Sequence, residues 1–339
     1  MYAGTMLIFV AISAFLLLIG ILYQQRGAVT DRKRYPPPGK LVQIDGAQLH
    51  VRTAGTGSPT VVFEAGIAAS SVSWTPVQNA VSEWTSTASY DRAGLGWSPA
   101  SGTECTPAGM VASLRLLLKR SGFQPPYILV GHSFGALLTR LYADRWPEEV
   151  AGLVLVDPAL LLEWAKPDKQ RLRMLQRGVS LSRRGALLAQ TGCVRLSLAL
   201  LTRGSRLLPK LVSKLSSGAG GHSVLERLVG EVRKLPPELW PAIQSHWCRP
   251  ESFRSMARHL AALPAAAALV YETKPIGRIP LIVISSGRLT PEQRTEHEGI
   301  ARSSERGRHI IAPNSGHWVQ LDQPEVVIGA VRDLLRNDG

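Results

Sequence analysis

Apolar residues in this chain fall into short unbroken blocks separated by longer amphipathic stretches. Thr60–Glu64, Tyr127–Val130, Leu153–Val156, Leu281–Ile284 and His309–Ala312 are brief apolar runs, several of them β-branched, and Ser86–Asp91 reads as another strand. Runs of that length without alternation predict strands buried on both faces. Leu41–Asp45 and Gln48–Arg52 flank Asp45-Gly46, a hairpin signal. Between the blocks, Pro107–Arg120 sets Met110, Val111, Leu114, Leu117 and Leu118 on one helical face behind an early proline. Ala136–Trp146 and Pro324–Arg336 also read as helices. Buried strands alternating with helices predict an α/β fold with a mostly parallel central sheet covered on both faces.

Two segments break this rhythm. Met6–Tyr23 is 18 residues without a charge, and as a helix it spans about 27 Å, close to a bilayer's hydrocarbon core. No Lys or Arg precedes it and no A-x-A cleavage site follows. An uncleaved anchor over residues 1–25 is therefore expected, with a signal peptide as the alternative. Arg26, Arg32, Lys33 and Arg34 follow, so the positive-inside rule favours a cytoplasmic catalytic domain. Residues 26–40, ending in the proline-rich Tyr35–Leu41, read as a linker.

The second segment is 158–275. Ala159–Lys274 holds 19 Lys and Arg against 7 Asp and Glu, so it supplies +12 of the chain's net +14. Leucines and basic residues recur there at helical spacing, and Gly218–Gly221 reads as a joint within it. Such composition suits an anionic lipid surface. No nucleic-acid-binding module is present, so a nucleic-acid partner is not expected. Three cysteines without C-x-x-C spacing suggest neither a disulfide framework nor a zinc knuckle.

The strongest chemical signal is Gly131-His132-Ser133-Phe134-Gly135 between the Tyr127 strand and the helix after it. A G-x-S-x-G corner exposes a strained serine, and the N–H of Phe134 faces a developing oxyanion. With "YDRAGLGWS" (Tyr90–Ser98), "VVFEAGIAASSVSW" (Val61–Trp74) and "NSGHWVQLDQPE" (Asn314–Glu325), the chain resembles the α/β-hydrolases over roughly 41–157 and 276–339. The resemblance implies a serine hydrolase core with 158–275 inserted as a helical cap. It also implies Ser133 as nucleophile, His317 as base, and the backbone N–H groups of Ile67 and Phe134 as oxyanion donors. Many relatives read His-Gly where this chain has Ala65-Gly66, preceded by Glu64, which reads as a buried structural carboxylate. His132 is expected to pack beneath the turn, and Asp91 and Arg92 to hold their turn as a buried pair. Trp74 and Trp97 are placed in the packing or at the pocket mouth.

The triad's acid is unusual. The family normally places an Asp after the strand Leu281–Ile284, but this chain continues through Gly287 to Arg288, Leu289 and Thr290. Asp157, ending the strand that follows the nucleophile's helix, is the first candidate, and Glu292 is the alternative. The expected activity is hydrolysis of a small, amphiphilic carboxylic ester. The same fold also serves acyltransferases, peptidases and catalytically silent binding proteins. No cofactor is called for, and the histidines show no metal-ligand spacing.

Overall fold

The computed structural model describes residues 2–102, 105–202 and 234–336. Eight strands form one sheet: β1 (Lys40–Ile44), β2 (Ala47–Ala54), β3 (Thr60–Glu64), β4 (Thr87–Tyr90), β5 (Tyr127–His132), β6 (Val150–Val156), β7 (Leu281–Ser286) and β8 (Gly307–Ala312). Their order is β1-β2-β4-β3-β5-β6-β7-β8. β2 runs antiparallel to both neighbours, and every other pair is parallel.

Around and beyond the sheet the helices are α1 (Tyr2–Arg34), α2 (Thr75–Val81), α3 (Pro107–Arg120), α4 (Phe134–Arg145), α5 (Leu161–Ala165) and α6 (Lys169–Gln190). They continue with α7 (Cys193–Thr202), α8 (Trp240–Trp247), α9 (Pro250–Tyr271), α10 (Pro291–Ala301), α11 (Val319–Asp322) and α12 (Pro324–Arg336).

Strand parity divides the core. Leu129, Leu153, Leu155 and Val283 face α3, α4 and the end of α9, where Leu114, Leu117, Leu138, Ala266 and Ala267 are buried. Ile128, Val130, Val154, Val156, Ile282 and Ile284 face the other way, onto Trp74, onto Val77 and Val81 of α2, and onto Val327 and Val331 of α12. Each such aliphatic side chain contributes about 1.5–3 kcal/mol when fully buried. Two-sided burial explains why these strands lack alternation. Thr106 caps α3, its hydroxyl accepting from the Gly109 N–H at 3.1 Å, and Pro107 fills the first helical position.

Contacts divide the chain into two compact units. One comprises Met1–Pro36 and Arg177–Ala257, the other Pro37–Gln176 and Arg258–Gly339. Two of the three divisions, after Gln176 and after Ala257, fall inside the segment 158–275 rather than at its ends, and the third follows Pro36. The expected joint at Gly218–Gly221 lies outside the described residues.

Within the first unit, α1 continues unbroken to Arg34, so residues 26–34 are helical where a linker was expected. Nothing between Tyr23 and Tyr35 breaks a helix, and Arg32, Lys33 and Arg34 complement the dipole of its last turn. Pro36 then ends it, since the residue before a proline is pushed out of the helical region. Gly4–Arg34 contains an 18-residue window of mean hydropathy 2.8 with none of it buried, long and apolar enough to cross a membrane.

Candidate active site

The turn from β5 into α4 is tighter than the sequence pattern suggests, because strand and helix meet at one residue. Ser133 stands there at φ +54°, ψ −117°, in a region that costs an L-residue about 1–3 kcal/mol. Its N–H donates to Val156 O at 3.0 Å, fixing the corner to the end of β6. The flanking glycines are required by contact. A Cβ on Gly131 would lie 2.6 Å from Gly135 O, and one on Gly135 would lie 2.5 Å from Glu64 O. Phe134 opens α4, so its N–H has no partner within the helix.

Asp157 follows β6 directly, at φ +41°. Its own N–H donates to Ile284 O at 2.7 Å, and its Oδ1 accepts the Ser286 N–H at 2.8 Å, so β7 anchors it from the side. Its Oδ2 accepts from His317 Nδ1 at 2.7 Å. Burial raises the pKa of Asp157, but the His317 hydrogen bond and charge and the Ser286 N–H outweigh it, leaving the carboxyl below its ordinary value. The bond places the proton of His317 on Nδ1 and leaves Nε2 with a free lone pair. Glu292 is elsewhere. It is exposed in the first turn of α10, its pKa lowered by that helix's own N-terminal N–H and by Thr290.

His132 supports His317 from below. Its Nε2–H donates to His317 O at 2.8 Å, and the two rings lie 4.7 Å apart. Burial first, then the charge of His317, pulls its pKa down to about 3. The unfolded chain can therefore take up a proton that the fold refuses. Stability from this group is present above about pH 6.5 and is lost as pH falls, by about 2 kcal/mol at pH 5. His259 and His297, held down chiefly by burial, act in the same direction. Urea unfolding at pH 7 and pH 5 should show this fall, and His132→Asn should show a smaller one.

Beyond β3 the chain turns through Ala65, Gly66, Ile67 and Ala68, the last at φ +59°. Arg92 clamps this loop. Its guanidinium donates to Glu64 Oε1, to Ala65 O at 2.6 Å and to Gly66 O, while Tyr90 Oη donates to Glu64 Oε2. A trans peptide points its N–H opposite to its carbonyl. Holding Gly66 O therefore turns the Ile67 N–H away from Arg92. Burial raises the Glu64 pKa, opposed by Arg92 and then Tyr90.

Arg92 is thus a positioning residue that the sequence reading did not see, and its expected pairing with Asp91 is corrected. Asp91 instead accepts from Ser71 N (2.6 Å) and Trp97 N (2.9 Å) and bonds His50 Nδ1 at 2.8 Å. Neighbouring residues leaving a strand project to opposite sides, so 90 and 92 reach one carboxylate while 91 reaches another group. Glu64 was the available signal, since a carboxylate ending a buried strand needs a partner. Trp74 is wholly buried against Phe63, at 5.2 Å between rings, and is packing. Trp97 is part-buried, its ring 5.0 Å from His50.

A model of the alpha/beta hydrolase fold matches residues 59–324, and the chain belongs to that family. The uncharacterised protein YqjL of Bacillus subtilis is 39% identical over 302 residues, 87% of this chain and 91% of that one. Among solved structures, the epoxide hydrolase CorEH superposes with a TM-score of 0.65 at 19% identity, covering 88% of this chain and 99% of that one. An esterase from Thermogutta terrifontis gives 0.57 at 20% identity, covering 86% and 94%. At such identities the structural likenesses bear on fold alone.

Proposed function

We propose that the chain is a serine hydrolase that cleaves carboxylic esters by acyl transfer and is held at a membrane by α1. The observation that carries this reading is the Asp157–His317 hydrogen bond at 2.7 Å, beside a serine held at a strained strand-to-helix corner. Ser133 Oγ attacks the ester carbonyl while His317 Nε2 takes its proton. Asp157 stabilises the imidazolium so formed. The N–H groups of Ile67 and Phe134 receive the oxyanion. His317 returns the proton to the departing alcohol, then activates the water that releases the acid from Ser133. These steps need no cofactor.

The long apolar helix and the +12 segment support an amphiphilic ester drawn from a lipid surface. A fluorophosphonate probe should label the wild-type chain on Ser133 and leave Ser133→Ala unlabelled. An unlabelled wild type would sink the enzymatic reading in favour of a silent binding fold. Acyl products formed with added alcohols or amines, in place of free acid, would make the chain an acyltransferase. Cleavage of amide analogues would make it a peptidase.

A further inference from the structure

Helix α1 has two halves with different surroundings. Residues 4–19 are exposed along their whole length. From Gly20 onward one stripe, Gly20, Gln24, Gly27 and Asp31, is covered by helices of its own unit. A Cβ on Gly20 would overlap the Thr191 carbonyl, and one on Gly27 would lie 2.6 Å from the Arg195 guanidinium. Gln24, 5% exposed, donates to Cys248 O at 2.8 Å and accepts from Arg195 Nε at 3.0 Å. Arg195 also pairs with Asp31 at 2.7 Å. The spacing of four, three and four residues is that of a packed helical face.

This seam fixes the depth of the corner between α6 and α7. A Cβ on Gly192 would lie 2.5 Å from Gly20 O and 3.2 Å from Tyr23 Cδ1. Gly20 and Tyr23 both belong to the uncharged run Met6–Tyr23, so the corner sits level with the last turn of the apolar segment. Leu187 is 63% exposed four residues before Thr191, and Leu196 is 44% exposed four residues after Gly192. Arg183 and Arg184 are exposed about one turn further from the corner than Leu187. An exposed apolar side chain one turn from the corner on each helix, with a basic pair one turn further along α6, matches the gradient from acyl chains to lipid phosphates.

We infer that the α6–α7 corner is a membrane-seating surface. Leu187 and Leu196 enter the acyl boundary where α1 leaves it, and Arg183 and Arg184 meet phospholipid phosphates. The inference rests on the reading of α1 as a retained anchor. It adds that the helices beside α1 are seated on the bilayer with it.

The test uses the full chain in phosphatidylcholine–phosphatidylglycerol vesicles, with p-benzoylphenylalanine replacing Leu187, Leu196 or Arg177 in turn. Arg177 is exposed on the same helix, about 15 Å further along. On irradiation, positions 187 and 196 should give at least fivefold more lipid adduct than 177, and Arg183→Glu with Arg184→Glu should lower the yield at 187. Equal yields at all three positions, or adducts to a second copy of the chain, would overturn the seating while α1 still resists alkaline extraction. Release of the chain by alkali would overturn the anchor itself, and the seating with it.

Discussion

Asp157→Asn should lower kcat/KM on a short p-nitrophenyl ester by roughly 10³–10⁴ while leaving the chain folded. The reason lies in the two oxygens. Oδ1 accepts the Ser286 N–H at 2.8 Å, and the amide oxygen of Asn can keep that bond. The amide nitrogen then faces His317 Nδ1, where Oδ2 now stands at 2.7 Å. A donor there favours the tautomer with its lone pair on Nδ1 and its proton on Nε2, which cannot accept from Ser133. The imidazolium also loses its carboxylate. Glu292→Gln should leave the rate unchanged, since that side chain is exposed on α10. A near-normal rate for Asp157→Asn, against Ser133→Ala as blank, would move the acid elsewhere and make Asp157 structural.

Arg92→Met should destabilise the fold by about 3–5 kcal/mol, because it strands a carboxylate that is 1% exposed without its cation. It should also cut kcat by about 10²-fold in the folded fraction, because the carbonyls of Ala65 and Gly66 lose the donor that sets the Ile67 N–H. The pH dependence separates the two effects. Burial already raises the Glu64 pKa, and without Arg92 it rises further. A neutral Glu64 supports the fold at low pH, and that support is lost as pH rises. The stability deficit of Arg92→Met should therefore shrink toward pH 5. Adding Glu64→Gln should restore much of the stability and little of the kcat. Urea melts across pH, paired with kcat and KM, read both; recovery of stability and kcat together would make Arg92 merely structural.

Much of this was legible from the chain. Two-sided burial leaves a signature that periodicity detects, which is why β7 and α3 fall where the apolar pattern puts them. The meeting of Asp157 with His317 could be expected because the end of a parallel strand is a place, not only a residue type. Three features were hidden for physical reasons. Helix α10 buries only His297 and Ala301, so it has little apolar stripe. Its one mark is a capping box, with Thr290 and Gln293 bonding each other's backbone. The extension of α1 to Arg34 breaks no local rule, but the partners that cover its inner face, Arg195 and Cys248, lie more than 150 residues away. The Arg92 clamp joins two strands whose adjacency, β3 beside β4, no local pattern reveals.

The placement of Asp157 also has a consequence for how this scaffold can vary. β5 and β6 are directly paired, with His132 opposite Val156. The serine and its proposed acid are therefore assembled from one continuous stretch, Tyr127 to Asp157, before the chain enters the segment 158–275. An acid after β7 would be delivered only once that whole excursion had returned to the sheet. Here only His317 arrives from the far side of it. Segments of different length and sequence can thus be grafted between Asp157 and Leu281 without resetting the distance between nucleophile and acid. In the proposed reading, such a graft would change the choice of substrate and leave the reaction with the sheet.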